Sequence, residues 1–522
     1  MLAGVLAFML LAAGLAVAGE SPQPGSHHDH GRFSSQTQGF PPQPSDMTST
    51  SPVSAVAYED AQTQAAVQIA SADPRVAAAL DEDAQLIGVH PVDAKAGGGQ
   101  VVTWVLGHRP ITLTATVRDG AVVAHESTPG EVWQPPLSAP ERAQAISIAR
   151  SRWQRLGHSE VTGLQGFVMH TMQADGSYPS NRMAYVTFAP HIDARPRLLT
   201  WVDLTTGRVT RSRVATGDTS AGAARGAQPE AVSSAAGRQG SVSWHDWTFD
   251  YEVSGRMDGI ALTDVRFRNT EILQRASMPA MTVFYENDAC GPFVDRLGGE
   301  LTPVDWADGA EVVLREFTQY GQDWLELGVL DTLGEYVLYQ SFYLGQDGQL
   351  DAHTFAKGLQ CETDHAHYPF WRFDFDVSGA AGDQIVRMTP QGREVLATEF
   401  DLSAADAVDH RWQVRDVMTG DRVDLQFDDG SWNVPGQVVP ESLYQTNRVS
   451  GRLYNAGDAG PWMYPAVTEL PGNGRQPLDG QDVVLWYRGY LPHASVEGPE
   501  LWHSTGVRLT VALSPGHFVR PE

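Results

Sequence analysis

Residues 365–377 read HAHYPFWRFDFDV, and the fold class follows from this stretch. Side chains of a β-strand alternate between its two faces. One face then carries the apolar residues Trp371, Phe373, Phe375 and Val377, and the other carries Arg372, Asp374 and Asp376. This period of two predicts a strand whose aromatic face packs in a core. The two carboxylates have two interpretations, a solvated face or oxygen ligands for calcium or manganese.

Strand patterns continue on both sides of this stretch. Residues 247–253 read WTFDYEV, with every second residue apolar, and residues 482–487 read DVVLWY, a short apolar run that also predicts a strand. Repeated alternation over a long segment is typical of antiparallel sheets. We therefore predict a mainly β protein in which residues 242–522 form one large antiparallel β-sandwich domain.

The first half of the chain has a different pattern, in which a helix precedes several short strands. Ser138 and Glu141 form a capping box at the start of an amphipathic helix that Gly157 ends. A similar helix-then-strands order is found upstream. The predicted organisation is a signal peptide at 1–18, a disordered leader at 19–54, small α+β domains at 55–135 and 136–215, an Ala-, Gly- and Ser-rich linker at 216–241, and the β-sandwich domain at 242–522.

The N-terminus indicates export. An apolar run ends in Ala16-Val17-Ala18, the small-x-small pattern of a signal peptidase site, with an uncleaved anchor as the alternative. We expect a secreted or periplasmic protein without a membrane segment beyond this one. The two cysteines, Cys290 and Cys361, are consistent with one disulfide in that compartment, although the sequence leaves their pairing open.

The charge of the chain limits its partners. Lys plus Arg number 36 against 63 Asp plus Glu, which gives a net charge of −27. Such a surface repels phosphate backbones, so we expect no nucleic-acid partner. It attracts cationic ligands such as amines, and it is also a general means of remaining soluble.

Three histidines carry the metal chemistry. His365 and His367 are two apart, so a strand places both imidazoles on one face, where they can bind one Cu, Zn, Fe or Ni ion. A third, His493, lies between Gly489 and Glu497. These residues resemble the copper amine oxidases, in which an H-x-H pair and a later Gly-x-x-His-x-x-x-x-Glu histidine bind Cu(II). In this chain the glycine is one residue further from the histidine and the glutamate one residue nearer.

The resemblance also implies a second, hard-cation site for Ca(2+) or Mn(2+). In the family, two aspartates and the carbonyl between them follow the first copper histidine by nine to eleven residues. An aspartate eleven residues before the third histidine and the next carbonyl complete the site. These offsets correspond to Asp374, Phe375, Asp376, Asp482 and Val483.

Further residues resemble the family's redox centre. Its topaquinone cofactor forms from a tyrosine in Thr-x-x-Asn-Tyr-Asp/Glu, and Thr332 and Tyr336 match, with Glu335 replacing the asparagine and Val337 the acidic residue. Tyr285 matches a tyrosine that hydrogen-bonds the cofactor. Asp295 matches the catalytic base.

The resemblance implies oxidative deamination of a primary amine by dioxygen, giving an aldehyde, ammonia and hydrogen peroxide, in a homodimer. One alternative is a quinone-free copper-binding β-sandwich derived from such an enzyme, which Glu335 and Val337 favour. Another is a secreted binding or adhesion module in which the histidines are core residues. A hydrolase is disfavoured, because the sequence has no G-x-S-x-G or H-E-x-x-H motif.

Overall fold

The computed structural model describes most of the chain beyond its N-terminal segment. The described residues are 56–57, 61–91, 98–107, 110–131, 134–135, 137–170, 178–189, 197–215, 239–254, 259–286, 291–295, 297, 311–319, 321–333, 336–428, 447–454, 475–497 and 502–514. The predicted signal peptide and leader, most of the predicted linker, Cys290 and Glu335 lie outside them.

Among the described residues, three α-helices and nine strands come first. They are β1 Val56–Ala57, α1 Ala61–Ala72, α2 Pro74–Ala79, β2 Gln85–Pro91, β3 Gln100–Val105, β4 Ile111–Arg118, β5 Ala121–Pro129, α3 Ala139–Arg155, β6 Gln165–His170, β7 Met183–Ala189, β8 Arg197–Asp203 and β9 Arg208–Ala215. Strands β2 to β5 form one four-stranded sheet and β6 to β9 form another, each in sequence order.

Helix α3 begins where the capping box predicts. Ser138 Oγ accepts a hydrogen bond from the Glu141 amide at 3.2 Å, and Glu141 Oε2 accepts one from the Ser138 amide at 2.7 Å. The helix packs on its own sheet, where the buried Trp153 indole donates to Thr200 Oγ1 at 2.6 Å. Gly157 follows the helix with a φ of 94°, a conformation that favours glycine.

The remaining strands build two large sheets. They are β10 Gln239–Trp244, β11 Trp247–Ser254, β12 Gly259–Phe267, β13 Thr270–Tyr285, β14 Phe293–Asp295, β15 Glu311–Gln319, β16 Gln322–Leu333, β17 Tyr336–Gly345, β18 Gln349–Lys357, β19 His365–Phe375, β20 Asp383–Thr389, β21 Gly392–Val395, β22 Phe400–Ser403, β23 Arg411–Asp416, β24 Arg422–Phe427, β25 Arg448–Leu453, β26 Val483–Arg488, β27 Leu491–His493 and β28 His503–Ala512.

The larger sheet has eleven strands, ordered β1-β10-β11-β12-β13-β19-β26-β25-β22, with β14 beside β13 and β27 beside β19. The other has nine, ordered β15-β16-β17-β18-β28-β24-β23-β20-β21. One core contains buried side chains of both sheets, and Phe342 of β17 meets Trp371 of β19 edge-to-face with ring centroids 5.4 Å apart. The predicted mainly β fold class, with large antiparallel sheets, is confirmed.

The structure differs from the sequence-based expectation in four places. Helix α2 was not predicted, and strand β1 joins the large sheet by pairing with β10. Strand β10 begins at Gln239, before the expected domain start at 242. The solvated-face interpretation of the 372–376 carboxylates is wrong, because Arg372, Asp374 and Asp376 are all buried. No helix in the described ranges is both long and apolar enough to span a bilayer.

Candidate metal and redox centre

Strand β19 brings the predicted histidines together at its first residues. His365 and His367 are fully buried, and their ring centroids are 5.1 Å apart. His365 is paired with His493 of the neighbouring strand β27, and the centroids of their two rings are 4.9 Å apart. Register and alternation therefore gather three imidazoles, two from one strand and one from its neighbour.

The hydrogen bonding of His365 leaves one ring nitrogen for a metal. Its Nδ1 donates to the Thr363 carbonyl at 3.1 Å, so the lone pair is on Nε2. Among the described residues, His365 Nε2 and both ring nitrogens of His367 are buried without a hydrogen-bond partner. Burial without a partner is costly, and a metal ion is a chemically suitable partner for neutral imidazole.

Burial is the main influence on the charge state of these imidazoles. It lowers the pKa of His367 to about 3, with a further contribution from His493. The pKa of His365 is lowered well below its usual value, first by burial and then by the neighbouring histidines. Both side chains are therefore neutral at physiological pH, which is the form that binds metals.

An aspartate ties the two histidine strands together. Asp364, which precedes β19, accepts hydrogen bonds through Oδ1 from the amide and the hydroxyl of Ser495 at 2.7 and 2.6 Å. Ser495 follows His493 by two residues. This contact holds the end of β27 against the start of β19, and the sequence analysis did not identify it.

Tyr336 reaches this cluster from the opposite sheet. It is the first residue of β17 and is fully buried. Its hydroxyl donates to the Tyr285 hydroxyl of β13 at 2.9 Å. Its ring centroid is 4.6 Å from that of His367 and 5.1 Å from that of His365.

Asp295 completes the group. It lies in β14, opposite Met281 of β13, and is fully buried. One carboxylate oxygen is 3.7 Å from His367 Nδ1, which is beyond hydrogen-bond distance. Burial raises the pKa of this carboxyl to about 8. The same environment raises the pKa of Tyr285 well above its usual value, through burial first and then through Tyr336 and Asp295.

Two candidate residues in this region are only partly described. The backbone of Thr332 lies in β16 and that of Glu497 in a short turn of helix at Ser495–Glu497, but their side chains are outside the described part of the structure. Val337 pairs with Thr332 across β16 and β17. Cys361 is disulfide-bonded.

The predicted second site lies at the other end of β19. Within the described residues, Asp374, Asp376 and Asp482 form a group in which one carboxylate oxygen of each lies within 4.8 Å of the others. Asp374 and Asp376 follow the strand period, and Asp482 precedes β26, the neighbouring strand. Arg372 donates to Asp374 Oδ2 at 3.1 Å. Phe375 and Val483 are paired directly, so the two backbone positions predicted to offer carbonyls are adjacent.

The sequence analysis missed a further buried histidine beside the histidine cluster. His503 opens β28, in the nine-stranded sheet, and its ring centroid is 4.2 Å from that of His493. Burial, and after it His493, lowers the pKa of His503 to about 3. In the sequence, the one indication that His503 is buried is that it lies on the same strand face as the apolar residues of β28. Any strand that packs in a core shows this pattern, so it does not indicate a site.

No protein-family model matches the sequence, and neither does any curated protein. Solved structures do match. A copper-containing benzylamine oxidase from Hansenula polymorpha aligns with a TM-score of 0.61 at 12% identity, covering 89% of this chain and 98% of that chain. A lysyl oxidase from Pichia pastoris aligns at 0.56 and 13%, covering 89% and 92%. An Aspergillus nidulans amine oxidase aligns at 0.54 and 13%, covering 90% and 91%. The chain therefore has the fold of the copper amine oxidases.

Proposed function

We propose that this protein is a copper- and quinone-dependent primary-amine oxidase. The reaction is RCH2NH2 + O2 + H2O → RCHO + NH3 + H2O2, with Tyr336 as the precursor of topaquinone and Asp295 as the base. One observation carries the proposal: Tyr336, Tyr285, Asp295 and the histidines come from both sheets and meet in one buried cluster.

Copper would be held by His365, His367 and His493. The donor set suits it, because neutral imidazoles are good ligands for Cu(II), and His365 Nε2 and both ring nitrogens of His367 are buried without a described hydrogen-bond partner. Bound copper supplies the oxidation chemistry that converts a tyrosine into a quinone with dioxygen. The 4.6 Å separation of the Tyr336 and His367 ring centroids supports this assignment.

Tyr285 and Asp295 have separate roles in the proposal. Tyr285 holds the oxygen of residue 336 through the 2.9 Å hydrogen bond and limits rotation of its ring. Asp295 accepts the proton from the α-carbon of the amine through a carboxylate oxygen. A buried carboxyl with a pKa of about 8 is a stronger base than an ordinary aspartate, which suits abstraction of a carbon-bound proton.

The second cation site has a structural role in this proposal. Asp374, Asp376 and Asp482 would bind Ca(2+) or Mn(2+), together with the carbonyls of Phe375 and Val483. Oxygen ligands of this kind suit hard cations. The ion would link β19 to β26, the strand that leads to His493. We further propose export to the periplasm or the extracellular medium, and a homodimer.

The test uses Cu(II)-loaded protein in air, titrated with phenylhydrazine. We expect a coloured quinone adduct that peptide mass mapping assigns to residue 336. Tyr336→Phe removes the adduct but retains copper. Tyr343→Phe is a matched control, because Tyr343 is a buried tyrosine of the same strand that belongs to a separate aromatic cluster. It retains the adduct.

A second candidate is a quinone-free copper-binding protein. Val337, which follows Tyr336 in place of the family's acidic residue, favours it. Stoichiometric copper without a phenylhydrazine adduct in the unmutated protein would reject the oxidase and support this alternative.

A further inference from the structure

His503 was not among the copper ligands predicted from the sequence, but it lies next to them. Its ring is fully buried, with its centroid 4.2 Å from that of His493 and an angle of 33° between the ring planes. The His493 ring is in turn 4.9 Å from that of His365. The rings of His367, His365, His493 and His503 therefore follow one another at 4.2 to 5.1 Å.

The packing between the two sheets explains why His503 comes so close. A Cβ atom at Gly489 would lie 2.7 Å from Thr505 Cγ2 and 2.8 Å from Thr505 Oγ1, so only glycine allows β28 to approach here. The Tyr487 and Thr505 hydroxyl oxygens are 3.3 Å apart across the same contact. His503 shares the strand face of Thr505, because the two residues are two apart in β28.

We propose that His503 is a fourth imidazole donor of the copper site, beside His365, His367 and His493. This inference rests on the proposed function, since it requires that copper binds there. Cu(II) suits nitrogen donors, and the four imidazoles would supply four of them. The fourth donor comes from the nine-stranded sheet, so bound copper would connect both sheets.

The test counts copper-bound nitrogens in the full-length Cu(II) protein by pulsed EPR and measures the Cu(II) Kd by competition with a chelator. We expect four imidazole nitrogens in the unmutated protein. His503→Gln loses one nitrogen, and its Kd for Cu(II) rises at least about tenfold, because even indirect partners of metal ligands contribute that much.

His353→Gln is the matched control. His353 is also buried and lies on β18, where it pairs with Gly506 of β28. His503 pairs with Ala356, three residues further along β18, so His353 points to the opposite face. We expect four nitrogens and an unchanged Kd in this variant.

The outcomes separate the two proposals. Copper bound through three imidazoles, with no change in His503→Gln, overturns the role of His503 and leaves the proposed function standing. Protein that binds no Cu(II) overturns both. If His503→Gln does not fold, the nitrogen count of the unmutated protein still decides, because three or four is measured without any substitution.

Discussion

The two ends of β19 carry different donor sets on one strand. At its start, His365 and His367 offer nitrogen; at its end, Asp374 and the following Asp376 offer oxygen. Both pairs are two residues apart and buried. The same period thus places the proposed copper ligands and the proposed hard-cation ligands on opposite faces of one strand, and the side-chain chemistry sets which metal each suits.

The two ends, called here the histidine end and the aspartate end, also differ in the charge of the side chains around them. At the aspartate end, the guanidinium group of Arg372 donates a hydrogen bond to the Asp374 carboxylate at 3.1 Å. The histidine end is surrounded by neutral rings, and the carboxyl beside it, Asp295, lies 3.7 Å from His367 and has a pKa raised to about 8 by burial. The buried carboxylates therefore have partial compensation from the protein, whereas the buried imidazole nitrogens would depend on a bound metal for a partner.

The largest effect is expected from His365→Ala, which should remove copper binding at the histidine end and leave the aspartate end intact. Removing a ligand raises the Kd for Cu(II) by more than about 100-fold, above the effect of losing an indirect partner. Quinone formation and amine turnover should fall below detection, while calcium binding persists. Metal analysis and chelator competition measure this, with His353→Ala as the buried-histidine control. Loss of both metals together would show that the two ends are not independent.

Asp295→Asn tests whether the carboxylate beside the histidine end acts as the base, separately from copper binding. The amide cannot accept the α-proton, so kcat/KM for a primary amine should fall by about 10²–10⁴. Copper content and the phenylhydrazine adduct should remain, because Asp295 is not a predicted ligand. Steady-state kinetics on copper-loaded protein test this. An unchanged kcat/KM would exclude Asp295 as the base.

Asp376→Asn breaks only the aspartate end. In the unmutated protein, calcium at about 1,000 times its Kd should raise the free energy of unfolding by about 4 kcal/mol, and the variant should lose most of this gain. Thermal unfolding with and without calcium measures it. Asp401→Asn is the control, because Asp401 is a half-buried aspartate of β22 that binds Arg448 instead. The comparison fails if Asp376→Asn retains the full calcium response.

Glu141→Gln provides a reference far from β19 in the sequence. At Glu141, the charge of a buried carboxylate is compensated by protein groups alone. Burial raises the pKa of Glu141, but the charge and hydrogen bonds of Arg182 outweigh it and lower the pKa below its ordinary 4.5. Arg182 contacts the carboxylate at 2.6 and 2.8 Å. Stabilisation from a lowered pKa is present above pH 4.5 and is lost as the pH falls through the folded value.

We therefore expect Glu141→Gln to reduce the free energy of unfolding by about 1.5–3 kcal/mol at pH 7. The difference from the unmutated protein should shrink as the pH falls below 4.5. Urea unfolding at several pH values measures it. A difference that is constant across this range would mean that the ion pair does not account for the loss.

Most of the fold could be predicted from local patterns. The alternation in residues 365–377 predicted β19 and its core face, and the capping box predicted the start of α3. The opposite face of β19 could not be assigned, because charged residues on a strand look the same whether water or another layer covers them. Helix α2 was missed for a related reason: six residues are too few to show a helical period.

By itself, the sequence determined the strand period, the sandwich class and the spacing of histidines and aspartates along β19. These are local properties, set by alternation of side chains along the backbone. Only the tertiary structure decided that Tyr336 and Tyr285 meet from opposite sheets, and that His503 lies beside His493. Both contacts cross between the two sheets. Their geometry depends on how closely the layers pack, as at Gly489, and this distance is a property of the whole core.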